Sequence, residues 1–158
     1  MCVPDENPRL RVSLLRLETS KSRIFRCFEI VDIQDLSQAR QVLQCQYTVW
    51  PDHGAPHCPK EFLDFMDEVR SEAGRCNADE GPWLIHCSAG RGRTGTFCTL
   101  DVALSSVDKA AAGGPTEFVS KDWILEIVNT LREQRVAMVQ TEVRGCSKLL
   151  LVMRNLSQ

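Results

Sequence analysis

Hydrophobic and polar positions along the chain predict a run of strands followed by helices. From Arg11 to Leu17 apolar and polar residues partly alternate, the period of a half-buried strand. Thr19-Ser20-Lys21-Ser22 reads as a turn, and Ile24 to Ile33 as a second strand carrying Phe25, Cys27, Phe28, Ile30 and Val31. Two strands joined by a short polar turn predict an antiparallel hairpin. Asp35 to Arg40 reads as a polar connection and Val42 to Val49 as a third strand. The two prolines and the glycine of Trp50-Pro51-Asp52-His53-Gly54-Ala55-Pro56 predict an irregular surface loop. Glu61 to Ala73 has helical spacing, with Phe62, Phe65, Met66 and Val69 on one face and Pro59 at its start. After a polar loop, Pro82 to His86 reads as a strand. Thr94 to about Asp108 follows as a mostly apolar, buried helix, and Ala110 to Pro115 as a loop. A further helix is expected over Ser120 to Gln134, a turn over Arg135 to Met138, and a last amphipathic helix from Gln140 to about Asn155.

Composition narrows the class of protein. At 158 residues the chain fits one domain large enough to bury a core. A net charge of −2 offers no attraction for nucleic acid, so any affinity for an anion must be local. The polar N-terminus is not a signal peptide, and no apolar run reaches transmembrane length, which argues against membrane insertion. None of the eight cysteines forms a C-x-x-C pair, and His53, His57 and His86 make no zinc spacing with them, so neither metal nor cofactor is expected.

The chemistry concentrates in Ile85-His86-Cys87-Ser88-Ala89-Gly90-Arg91-Gly92-Arg93-Thr94-Gly95. A cysteine ends an apolar segment, a glycine-rich turn follows, and a helix then begins. Backbone N–H groups of such a turn, with those of the first helical turn, form an anion cradle. The same field stabilises a thiolate, and lowers a cysteine pKa from about 8.5 into the ~3.5–7.5 range. Five residues separate Cys87 from Arg93, so a curled loop can set the guanidinium across from the sulfur. The planar fork of arginine matches two phosphate oxygens. A buried cysteine at a strand-turn-helix junction is the bland alternative for a lone Cys, but the full string is far more specific than C-x5-R alone.

With that string the chain resembles the cysteine-dependent protein tyrosine phosphatases, tyrosine-specific type, over roughly Ile24 to Leu151. The resemblance implies an α/β fold: a twisted mixed β-sheet flanked by helices, in a single partial domain truncated on its N-terminal side. It implies Cys87 as nucleophile and Arg93 as phosphate ligand. Ser88, Ala89, Gly90, Arg91 and Gly92 would supply the rest of the phosphate loop. Trp50-Pro51-Asp52-x-Gly54-x-Pro56 resembles the family's mobile acid loop, with Asp52 as acid and then base and Trp50 as anchor. Gln140-Thr141, a weak motif by itself, resembles the glutamine that positions the hydrolytic water. Thr94 would donate to the cysteine sulfur, with a helix cap as its compatible second role. His86 would order the loop, and Arg26, Arg40 and Arg135 would act as structural supports. A thiolate enzyme is easier to maintain in a reducing compartment, so a cytoplasmic setting is expected, although an even cysteine count leaves a disulfide framework arithmetically open.

The chain also departs from the family pattern. The upstream substrate-recognition loop, with its Lys-Asn-Arg-Tyr motif, does not occur, and the only tyrosine, Tyr47, falls in a predicted strand. Arg91 stands where many tyrosine-specific members carry an apolar residue, and Arg144 where the family often has a second glutamine. The expected function is metal-independent hydrolysis of phosphotyrosine in proteins. The alternatives are a phosphotyrosine-binding module without turnover, and a phosphatase of dual or phosphoinositide specificity.

Overall fold

Three strands and three helices make up the computed structural model, which describes residues 9–51, 54–75, 81–114 and 122–140. The strands are β1 (Leu10–Thr19), β2 (Arg23–Asp32) and β3 (Asp35–Tyr47), and the helices are α1 (Pro59–Arg75), α2 (Gly92–Ala111) and α3 (Trp123–Gln134). They divide between two compact units, one taking Met1–Trp50 with Glu61–Pro82, the other Pro51–Lys60 with Trp83–Gln158. The α/β class holds.

In the first unit the sheet runs in the order β1-β2-β3 and is antiparallel throughout. The predicted hairpin is β1–β2. The segment Asp35 to Arg40, expected to be a connection, instead opens β3: Asp32 pairs with Asp35, and only Ile33 and Gln34 turn the chain. The Asp32 carboxylate accepts from the Gln34 backbone N–H at 3.0 Å and so closes that turn. The stretch has no apolar signal because residues 35–42 of β3, an edge strand among the described residues, are all exposed.

One face of this sheet meets α1. Phe62, Phe65, Met66, Val69 and Ala73 are buried along one side of the helix, at the spacing the sequence predicts. Phe62 and Phe65 lie against Tyr47, with ring centroids 5.3 and 5.2 Å away, and Phe65 also meets Phe25. Trp50 stands edge-on to Phe62 at 4.7 Å, so the chain is pinned to α1 just before it enters the Pro51 loop. Aromatic pairs of this kind contribute about 0.5–1.5 kcal/mol each beyond their buried area. Two ion pairs reinforce the layer, Arg16 with Glu72 and Arg23 with Glu68.

In the second unit α2 packs against α3. Burial on α2 is confined to Thr94, Gly95, Thr96, Thr99, Leu100 and Ala103. The expectation of a buried helix is therefore corrected to one buried face: Val102 and Val107 are exposed, since apolar residues that keep no single stripe cannot all reach one packing face. The predicted strand Pro82 to His86 is also corrected. The segment is irregular and pairs with no strand among the described residues, and Leu84 is 89% exposed. An apolar run alone does not supply a ladder partner. The last predicted helix, after Gln140, lies outside the described residues. Among the described residues no helix is long and apolar enough to cross a membrane.

Candidate active site

Cys87 sits at the mouth of a loop that turns into the first turn of α2. Gly90 takes φ +63°, a conformation that L side chains adopt at a cost, and this reverses the chain after the cysteine. Burial pushes the Cys87 thiol up. Donors from the Thr94 hydroxyl and from the backbone N–H groups of Thr94, Arg91 and Gly90 together outweigh it, and bring the pKa from 9.0 down to about 6. At neutral pH Cys87, a free thiol, is therefore mostly thiolate. The nest of N–H groups that holds the sulfur can equally face an oxyanion bound beside it.

Thr94 is buried, and its Oγ1 finds no conventional hydrogen-bond partner. The Cys87 sulfur is the acceptor that its hydroxyl faces. Helix α2 has no side-chain cap: Arg91 occupies the cap position, and its carbonyl accepts from Gly95 N–H at 2.8 Å. Of the two roles expected for Thr94, the cap is therefore not taken.

Arg93 folds back over the loop and donates from Nη2 to Ser88 Oγ at 3.0 Å, which sets its guanidinium on the rim of the loop that carries Cys87. Arg91 is exposed, and it serves the loop through its backbone, as an N–H donor toward the sulfur and as a carbonyl acceptor. His86 is exposed, with Nδ1 3.4 Å from the Cys87 carbonyl oxygen, a distance at which its Nδ1–H form donates to the loop. Arg135 reaches Ala89 O from Nη2 at 3.4 Å and passes beside Gly90.

The turn after α3 comes up against this loop. Val139 N–H donates to Arg91 O at 3.2 Å. A Cβ on Gly95 would stand 2.4 Å from Val139 N, so only glycine lets the two backbones approach this closely. Gln140 follows directly, and its Oε1 lies 3.3 Å from where a Cβ on Gly92 would stand. The structure thus brings Cys87, Ser88, Arg93, Thr94 and Gln140 into one neighbourhood. Asp52 lies outside the described residues, although Trp50, two residues before it, is placed as described above.

Sequence reasoning missed Arg132. From α3 it donates through Nε to Met138 O at 3.0 Å and through Nη2 to Val139 O at 3.1 Å. It therefore clamps a turn in which Ala137 and Val139 both hold left-handed φ values of 60° and 59°. Nothing local marks it, because an arginine on a helix is usually a solvated residue. The sign lies in the turn that follows, where Gln140 must be held in place without a glycine to relax the backbone.

Comparison with known proteins points to one family. The family model described as protein-tyrosine phosphatase matches residues 4–148. The chain is 41% identical over 133 residues to tyrosine-protein phosphatase non-receptor type 61F of Drosophila melanogaster, covering 84% of this chain and 22% of that protein. It is 38% identical over 136 residues to tyrosine-protein phosphatase 1 of Caenorhabditis elegans, covering 86% of this chain and 12% of the relative. It is 40% identical over 119 residues to receptor-type tyrosine-protein phosphatase F of Danio rerio, covering 75% of this chain and 6% of the relative. The chain thus spans less than a quarter of the length of each. A thiolate loop of this build, matched by that family model across nearly the whole chain, places the protein in the protein-tyrosine phosphatase family.

Proposed function

We propose that this chain hydrolyses phosphotyrosine in proteins through a cysteinyl-phosphate intermediate, without a metal ion and in a reducing, cytoplasmic setting. The observation that carries the reading is the Cys87 thiol, brought to about 6 by converging donors from Gly90, Arg91 and Thr94. In the first step the Cys87 thiolate attacks phosphorus, the bond from phosphorus to the tyrosine oxygen breaks, and Asp52 gives its proton to that oxygen. Arg93 and the N–H groups of Ser88 to Arg93 hold the phosphoryl oxygens as charge gathers on them. In the second step Gln140 orients a water molecule, and the Asp52 carboxylate takes its proton as the oxygen attacks phosphorus. The sulfur–phosphorus bond breaks, and the Thr94 hydroxyl donates to the departing thiolate. Trp50, two residues before Asp52, stands edge-on to Phe62.

The test is turnover of an aryl phosphate and of a phosphotyrosine peptide by the full chain in the presence of a chelator. Activity is expected in both assays, abolished by Cys87→Ser. Asp52→Ala is expected to lose far more kcat on the peptide than on an aryl ester with an acidic leaving group, because only the poor leaving group needs a proton. Peptide binding without turnover would leave the chain as a phosphotyrosine-binding module. Turnover only of phosphoserine peptides or phosphoinositides would move the specificity.

A further inference from the structure

Strand β1 carries a bulge at its centre that brings the paired apolar residues on either side of it, Leu10, Val12, Leu14 and Leu17, to one face. Leu14 pairs with Phe28 and Arg16 with Cys27, so Leu15 is the extra residue. Before the bulge Leu10, Val12 and Leu14 lie on the face away from α1, opposite Asp32, Ile30 and Phe28. After it Leu17 lies on that same face, opposite Arg26. The other face holds Arg11, Ser13, Arg16 and Glu18, and the ion pair from Arg16 to Glu72 of α1 fixes its direction. Leu10, Val12, Leu14, Leu15 and Leu17 are each at least half exposed. β1 is also an edge of the sheet, with β2 on one side and no strand on the other among the described residues. A ten-residue apolar edge of this kind is a template for another strand.

We infer that β1 is a self-complementary docking edge and that its partner is β1 of a second copy of this chain, related by a two-fold axis between Leu14 and Leu15. The argument is one of register and charge. Antiparallel pairing about that axis sets Arg11 opposite Glu18 twice, Ser13 opposite Arg16, Val12 opposite Leu17 and Leu14 opposite Leu15. In a regular strand this register is forbidden, because it pairs residues of opposite parity and hence of opposite faces. The central bulge shifts the parity of one half of the strand, so Arg11 with Glu18, Ser13 with Arg16 and Val12 with Leu17 each fall on a common face. Arg11 meets Glu18 on the polar face, and Val12 meets Leu17 on the apolar one. Glu18 is more than half exposed even while it pairs with Arg16 at 3.2 Å, which leaves its carboxylate open to a second cation. The product is a closed dimer with the strand order β3-β2-β1-β1-β2-β3. Its two outer edges are the β3 strands, whose charged and amide-rich residues, Asp35, Gln38, Arg40 and Gln41, discourage further addition.

The experiment is sedimentation velocity on the full chain across a wide concentration range, with Arg11→Glu and Glu18→Arg made separately and each checked for native circular dichroism. The wild type is expected to pass from monomer to dimer and stop there. Each variant alone places like charges in opposition at both ends of the pairing, and should weaken the dimer at least about tenfold. An equimolar mixture of the two variants restores both opposite-charge pairs and should dimerise again as a heterodimer. A wild type that stays monomeric, an assembly that grows past the dimer, an unaltered dimer in either variant, or a mixture of folded variants that stays monomeric would each overturn the inference.

Discussion

Val139 N–H and the Arg91 carbonyl oxygen meet at 3.2 Å, and this one bond ties the turn that leads to Gln140 to the loop that carries Cys87. Two segments nearly fifty residues apart in sequence are held backbone to backbone, with Gly95 as the spacer between them. Gly95→Ala would put a methyl group 2.4 Å from Val139 N. Backbone has to move to admit it, at a cost of about 1–3 kcal/mol. The variant is expected to be less stable in urea by that amount. It should also lose kcat more than it raises KM, since the displaced group is the Gln140 amide rather than the phosphate loop itself.

The ionisation of Cys87 can be read from its alkylation rate by iodoacetamide. With the thiol at about 6, the rate should fall roughly tenfold per pH unit below that midpoint and level off above it. Thr94→Val removes a donor to the anion, so the midpoint should move up toward 9.0, the ordinary cysteine value. Cys98 supplies the internal contrast: burial and the neighbouring Asp101 both push its thiol up. Peptide mapping after limited peroxide should therefore find Cys87 oxidised well before Cys98, and the reverse order would contradict a thiolate at Cys87.

Arg132→Met keeps much of the side chain's volume and removes both donors to the 138–139 carbonyls. Acceptors left without partners in a part-buried place cost about 1–3 kcal/mol. The urea midpoint is expected to drop accordingly, and kcat to fall while alkylation of Cys87 keeps its pH midpoint. A shifted midpoint would mean that Arg132 supports the cysteine loop directly rather than the turn.

The same turn offers a substitution in the opposite direction. Ala137 is exposed with φ 60°. A non-glycine residue held there costs roughly 1–2 kcal/mol, of which glycine's greater chain entropy returns part. Ala137→Gly is expected to stabilise the protein by about 0.5–1 kcal/mol, visible as a raised Tm.

Acid should loosen the sheet and α1 through Glu72. The Arg16 guanidinium that donates to it holds this carboxylate below its ordinary 4.5, with Arg75 contributing, against the opposing effect of burial. A lowered acid gives stability that is fully present above 4.5 and is lost as pH falls through the folded-state value. Urea denaturation at pH 7 and at pH 3 should show a larger loss for the wild type than for Glu72→Gln, which lacks the titrating group at both pH values. Equal losses would show that other carboxylates carry the acid transition.

Much of the helical architecture and the whole chemical loop were legible in the order of residues. Phe62, Phe65, Met66 and Val69 announce α1 because a helix repeats every 3.6 residues, and Cys87 to Thr94 announce an anion cradle because its donors are the chain's own consecutive N–H groups. The edge strand over Asp35–Arg40 was not legible, since its exposed residues have no apolar period to display. Nor was the irregular course of Pro82–His86, which pairs with no strand among the described residues, because an apolar run reads the same with or without a neighbour.

Sequence alone therefore determined the family and singled out Cys87 and Arg93 as its candidate nucleophile and phosphate ligand, because these readings rest on a single short loop. Tertiary structure decided how the Cys87 thiol reaches about 6, by balancing burial against donors brought to one point. It also decided that Arg132 clamps the approach to Gln140, and that a bulge at Leu15 sets Leu17 on the same exposed face as Leu10, Val12 and Leu14. Each of these depends on distances between groups far apart along the chain or on a shift of strand parity, and neither quantity is written in local residue order.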